Sequence, residues 1–117
     1  MVLKGIGVDI VEISRIEKAV KRWGDHFLDY VFTDKEIAYA RAHKFPLQHF
    51  AVRFAAKEAI YKAIGNNARL GWKDMEILND RYGRPQCIFK KKNLKYKVLI
   101  SLSHSEHYAV ANALISS

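Results

Sequence analysis

The sequence holds little of what would take it out of ordinary globular chemistry. One cysteine, Cys87, occurs in 117 residues, so no disulfide can close within the chain and no cysteine-based zinc cluster can form. No apolar stretch approaches the ~20 residues needed to span a bilayer. The opening Met1-Val-Leu-Lys4 lacks the charged lead and apolar run of a signal peptide. A reducing cytoplasm and no membrane role are therefore expected. Linkers, repeats and low-complexity tracts are missing too, and residues 1–117 are expected to form a single domain. Acids are the scarce charge: 12 Asp+Glu against 20 Lys+Arg leave a net +8. Such an excess suits nucleic acid, acidic proteins, nucleotides or anionic lipid without choosing among them.

What is present is a 50% hydrophobic fraction, enough for a core. A domain this small still buries a modest share of its surface, and oligomerisation would help it. Residues 2–11 read as a strand. Ile13, Ile16, Val20 and Trp23 then recur at helical spacing, and Gly24 ends that helix. Thr33 or Asp34 resembles an N-cap, with Glu36 in the following turn, for a helix to about His43. Pro46 suits the first turn of a long helix and Gly65 its stop. A polar turn from Asn66-Asn67 to Gly71 follows, then a strand over 72–78, a turn over 80–85 and a short strand over 86–89. Lys97–Ser103 and Tyr108–Ile115 read as a hairpin joined by His104-Ser105-Glu106-His107. Helices grouped before strands predict an α+β fold.

Two segments carry chemistry. On the long helix Phe50, Phe54, Glu58 and Tyr61 fall along one stripe. Glu58 interrupts that apolar row, and a carboxylate there loses hydration unless a metal, a cation or hydrogen bonds replace it. Lys62 lies one turn on, where an ordinary surface pair with Glu58 is the plain alternative. In the first strand Ile6, Val8 and Ile10 share one face, and Gly5, Gly7 and Asp9 the other. Glycine is a poor strand former unless something must approach the backbone. If the glycine face meets the Glu58 helix, two carboxylates share a site and need a cation. Magnesium suits such a pair, because it takes one or two carboxylates, keeps waters and binds phosphates.

Gly5-Ile-Gly-Val-Asp9-Ile-Val-Glu-Ile-Ser-Arg15-Ile16 and Arg53-Phe-Ala-Ala-Lys-Glu58-Ala-Ile-Tyr-Lys62-Ala-Ile-Gly65 resemble the two main motifs of the holo-acyl-carrier-protein synthases, the small single-copy 4′-phosphopantetheinyl transferases. Ser101-Leu-Ser103-His104-Ser105 resembles a third. The resemblance spans nearly the whole chain. It implies helices packed on a mainly antiparallel sheet, and a homotrimer with active sites between subunits. The reaction implied is transfer of phosphopantetheine from coenzyme A to a serine of apo acyl carrier protein, with Mg²⁺ and release of 3′,5′-ADP, in fatty acid biosynthesis.

Carried over residue by residue, Asp9 and Glu58 match the metal ligands, and Glu58 is also a base for the serine, directly or through a metal-bound water. Lys62 matches a phosphate contact. Where larger superfamily members often carry a second acid two residues after the first aspartate, this chain has Val11, and water or substrate oxygen would complete the shell. Gly65, His104 and Ser105 match coenzyme A contacts. Arg53 is a further candidate for the 3′-phosphate, Lys44 a weaker one, and Gly83-Arg84-Pro85 resembles a turn that approaches coenzyme A from the adjacent subunit. Arg15 and Arg22 match positions that grip the acidic helix of the carrier, with Ile16 adding apolar contact. The rival reading is a basic nucleic-acid-binding module. It has the +8 charge but no RNP-type motif, zinc-finger spacing or helix-turn-helix, and it leaves Asp9 and Glu58 without a role.

Overall fold

The computed structural model describes residues 2–65, 69–91, 94 and 96–116. The expected turn at Asn66-Asn67 lies outside them. In chain order the elements are β1 (Leu3–Glu12), α1 (Ile13–Trp23), α2 (Asp25–Val31), α3 (Asp34–Arg41), α4 (Pro46–Ile64), a 3-10 turn (Trp72–Asp74), β2 (Met75–Asn79), β3 (Pro85–Phe89), β4 (Lys97–His104) and β5 (Tyr108–Ser116). One antiparallel sheet has the order β1-β5-β4, and β2 with β3 forms a separate hairpin. The α+β expectation holds. The segment expected as a strand over 72–78 begins instead with the 3-10 turn, and α2 was not foreseen.

α4 runs through the middle. Phe50, Ala51, Val52, Ala55, Ala56, Ala59, Ile60 and Ala63 are all buried along it. Its close approach to the sheet comes from small residues on both sides. A Cβ at Gly5 would overlap the carbonyl oxygen of Ala63, and one at Gly7 the carbonyl oxygen of Ala59. On β5, Ala109, Ala111 and Ala113 are fully buried. The backbones of β1 and α4 therefore touch, which is the situation in which a strand tolerates glycine.

Among the described residues the sheet's other face is open. Ile6, Val8 and Ile10 are 71%, 54% and 65% exposed, and Leu99 on β4 is 63% exposed. Register groups them: Ile6 faces Leu114, which faces Leu99, and Ile10 faces Val110. The apolar side of β1 is thus its open side, and the side bearing the carboxylate is packed.

α3 starts in a capping box, with the Glu36 amide donating to Thr33 Oγ1 at 3.3 Å and the Thr33 amide to Glu36 Oε1 at 2.9 Å. Pro46 opens α4 and Gly65 closes it at φ 94°, where a residue without a side chain carries no penalty.

Candidate active site

The glycine face of β1 meets α4, so Asp9 and Glu58 face one site from different elements. Glu58 is half-buried, and its carboxyl is pushed above the usual carboxylate range. Burial is the main cause and the Asp9 charge the next, while Lys62 and Arg15 pull the other way. Lys62 pairs with the strand rather than with Glu58. Its Nζ donates to Asp9 Oδ1 and to the Val8 carbonyl, each at 3.0 Å. An ammonium has three donors, so one remains for a ligand.

Two carboxylates and a lysine thus converge where a backbone seam fixes the strand to the helix. Hard oxygen donors of this kind fit magnesium, which completes its shell with water and substrate oxygens. Among the described residues no three acids, histidines or cysteines cluster into a full protein cage.

The remaining expected residues fall in three places. Gly65 sits exposed at the end of α4, beyond Lys62. Pro85 begins β3, paired with Asn79. His104 ends β4 on the sheet face that packs against α4, since its register partner Ala109 is opposite Val11, two residues from Asp9. Ser105 follows in the turn, its amide donating to the Tyr108 carbonyl at 2.8 Å and its Oγ accepting from the Tyr108 amide at 3.3 Å.

Two expected contacts are corrected. Ile16 is 3% exposed, because it lies on the same side of α1 as Ile13 and points into the core. It has no surface to offer a partner. Trp23, 44% exposed, presents apolar surface on α1 instead, beside the exposed Arg22, whose guanidinium sits 4.5 Å above the indole. Arg53 is 1% exposed. Its Nε donates to the Ile77 carbonyl at 3.0 Å, its Nη2 to Asn79 Oδ1 at 2.9 Å, and its plane covers the Tyr39 ring at 4.3 Å. In this conformation it ties α4 to β2. The phosphate contact was expected from the resemblance, but α4 leaves Arg53 almost no solvent side.

Two groups were not foreseen. Lys57 is fully buried, and donates to Glu36 Oε1 at 2.7 Å, the Val31 carbonyl at 2.8 Å and the Trp72 carbonyl at 2.9 Å. Its position between apolar neighbours on the helix was the available signal. His43 and His49 lie with ring centroids 4.1 Å apart, tilted by 39°, near His104, which is distant in the sequence.

Comparison with known proteins establishes the family. A family model described as the 4′-phosphopantetheinyl transferase superfamily matches residues 5–113. A holo-[acyl-carrier-protein] synthase of Protochlamydia amoebophila is 46% identical over 119 residues, covering 97% of this chain and 98% of that protein. The holo-(acyl-carrier-protein) synthase of Bacillus anthracis, solved in complex with CoA (3′,5′-ADP), superposes with a TM-score of 0.86 at 35% identity, covering 98% of this chain and 97% of that one. The Helicobacter pylori holo-[acyl-carrier-protein] synthase, solved in complex with coenzyme A, gives 0.83 at 32% identity, covering 95% and 99%. The chain belongs to the 4′-phosphopantetheinyl transferase superfamily and, within it, to the holo-[acyl-carrier-protein] synthases.

Proposed function

We propose that this enzyme moves the 4′-phosphopantetheine group of coenzyme A onto a serine of apo acyl carrier protein, with magnesium bound by Asp9 and Glu58. The observation that carries the reading is the meeting of Asp9, Glu58 and Lys62 across the β1–α4 seam. In the reaction the serine oxygen bonds to the β-phosphorus, the bond from that phosphorus to the bridging oxygen breaks, and 3′,5′-ADP departs with the electron pair. Bound magnesium supplies Lewis acidity at the diphosphate.

Glu58 takes up the serine proton. Its raised affinity for protons, caused by burial and by Asp9, suits that task. Lys62 turns its remaining donor toward the phosphate on which charge develops, held in place by the Val8 carbonyl. Positioning and charge stabilisation carry most of the rate in phosphoryl transfer. Arg15 and Arg22, both exposed on α1, steer an acidic carrier surface toward the seam. Beside them Arg22, Trp23, His26, Phe27 and Tyr30 line a groove of about 620 Å³.

The open sheet face supports an assembly of subunits, which we read as a homotrimer. A contiguous exposed apolar patch marks an interaction surface, and Ile6, Val8, Ile10 and Leu99 form one. Subunits that meet there would let the Gly83-Arg84-Pro85 turn of one close the site of another. A single domain acting in the cytoplasm completes the proposal; among the described residues no helix is long and apolar enough to cross a membrane.

The test is mass spectrometry of apo acyl carrier protein incubated with the enzyme, coenzyme A and magnesium. The expected result is a gain of one phosphopantetheine, abolished by a chelator. No gain, with a known transferase active in parallel, overturns the reading.

A further inference from the structure

Three aromatic rings gather beside Glu58 and hold neither metal nor phosphate. Phe54 lies one turn before Glu58 on α4 and Tyr61 nearly one turn after it, on the same stripe of the helix. Trp72, in the 3-10 turn before β2, reaches both. Its ring stacks on Phe54 with centroids 5.1 Å apart and planes 21° apart, and meets Tyr61 edge-on at 5.7 Å. The indole therefore spans the turn of α4 that carries Glu58. The Tyr61 hydroxyl donates to the Leu70 carbonyl, which fixes the segment leading into Trp72. Burial first, then Asp74, Glu58 and Tyr30, push that hydroxyl above the ordinary phenol range, so it stays a donor.

We propose that Phe54, Trp72 and Tyr61 form a wall that keeps water from the nucleophile's place beside Glu58, so that coenzyme A is transferred and not hydrolysed. Trp72 blocks the flank, and Tyr61 is the positioning residue that holds it there. The inference rests on the proposed transferase function and adds to it the choice of acceptor.

A base that takes a proton from serine can take one from water. In that side reaction the water oxygen bonds to the β-phosphorus of coenzyme A and the water proton passes to Glu58. The bond from that phosphorus to the bridging oxygen breaks, and 3′,5′-ADP leaves with the electron pair, with free 4′-phosphopantetheine as the other product. Water outnumbers any carrier, so the site itself has to prevent this. The two flanks of Glu58 differ in what they offer a water molecule. Apart from burial, the charges that bear on Glu58 are Asp9 of β1, Lys62 of α4 and Arg15 of α1, and a water on their side finds hydrogen-bond partners. On the other flank the three rings are half-buried and packed against the core. Ring faces give water no strong hydrogen bond. The charged side, which includes Arg15, is the one left to an incoming serine.

The test counts 3′,5′-ADP against loaded carrier, for the enzyme with coenzyme A and magnesium, with and without apo acyl carrier protein. The unaltered enzyme should release one ADP per carrier loaded and almost none without carrier. Trp72→Ala should raise carrier-free release about tenfold, and Trp72→Phe should restore coupling. Tyr61→Phe keeps all three rings and loses only the anchor. It should raise carrier-free release about threefold, as one lost hydrogen bond allows, and it decides the matter if circular dichroism shows that Trp72→Ala does not fold. Variants that load carrier more slowly yet release no excess ADP overturn the wall and leave the transferase standing. Carrier-free release by the unaltered enzyme as fast as loading does the same. An unaltered enzyme that loads no carrier refutes the transferase, and the wall with it.

Discussion

Lys57 and Glu58 are neighbours on one helix and live in opposite circumstances. The Lys57 ammonium is fully buried and satisfied three times over, with Glu36 as its counter-ion; Glu36 in turn accepts from the Ile77 amide at 2.7 Å. Glu58 is half-buried against a second carboxylate. A polar group with every bond made is stable and chemically inert. One held near a like charge is costly in the resting protein and ready for an ion or a proton. The side of α4 that faces α3 and β2 holds the fold, and the side that meets β1 is left with unmet electrostatic demand, which is what a site for a metal and a phosphate needs.

The sharpest way to break this contrast is to remove the open side. Asp9→Ala and Glu58→Ala should each lower transfer by about 10⁴-fold or more, roughly 5.5 kcal/mol of transition-state stabilisation, with the thermal transition nearly unmoved. Near wild-type turnover at saturating magnesium would show that the seam is not the site. Lys57→Met should do the reverse. It strands Glu36 in the core and should cost about 3–5 kcal/mol in urea unfolding, while the fraction that stays folded keeps its turnover. Gly7→Ala tests the seam between the two sides. Its methyl group collides with the Ala59 carbonyl, and overpacking of that kind costs about 1–3 kcal/mol; the chelator sensitivity of transfer should change as the carboxylates are pushed apart. Arg15→Glu, outside the seam, should raise KM for the carrier about tenfold, near 1.4 kcal/mol, and affect coenzyme A much less. Equal losses for both substrates would argue against docking.

The smallest effect concerns pH. A carboxyl with a raised folded pKa binds its proton more tightly in the folded chain, so charged Glu58 is a stability cost at pH 7 that is relieved as pH falls toward that pKa. Glu58→Gln should therefore raise Tm slightly while abolishing transfer. The acid limb of transfer should lie above the ordinary carboxylate range and move down as magnesium is increased, because a cation favours the ionised form.

Much of this was legible in the sequence, for reasons that are local. Gly5 and Gly7 announced a close approach because glycine in a strand interior marks a near backbone or a bulge, and Thr33 with Glu36 announced a capped helix. The Asp9 and Glu58 pairing followed once the glycine face was given a partner. What escaped depended on surroundings. The seven residues of α2 are too few to show a helical period. Arg53 and Ile16 were given ligand and carrier contacts by resemblance, and only the packing shows that α4 is enclosed and that Ile16 faces in. The Lys57–Glu36 pair and the three histidines join residues far apart in the chain, and nothing short of the packing brings them together.

One further consequence comes from the alternation of β1. Its inward positions carry Gly5, Gly7 and Asp9, its outward ones Ile6, Val8 and Ile10, and Asp9 is set opposite Ala111 of β5. A slip of the strand by one residue would turn the aspartate to the outside and drive isoleucine into the space that only glycine fits. Ligand placement and the adhesive exterior are thus two readings of a single ten-residue frame. A deletion or insertion within that strand would forfeit both at once.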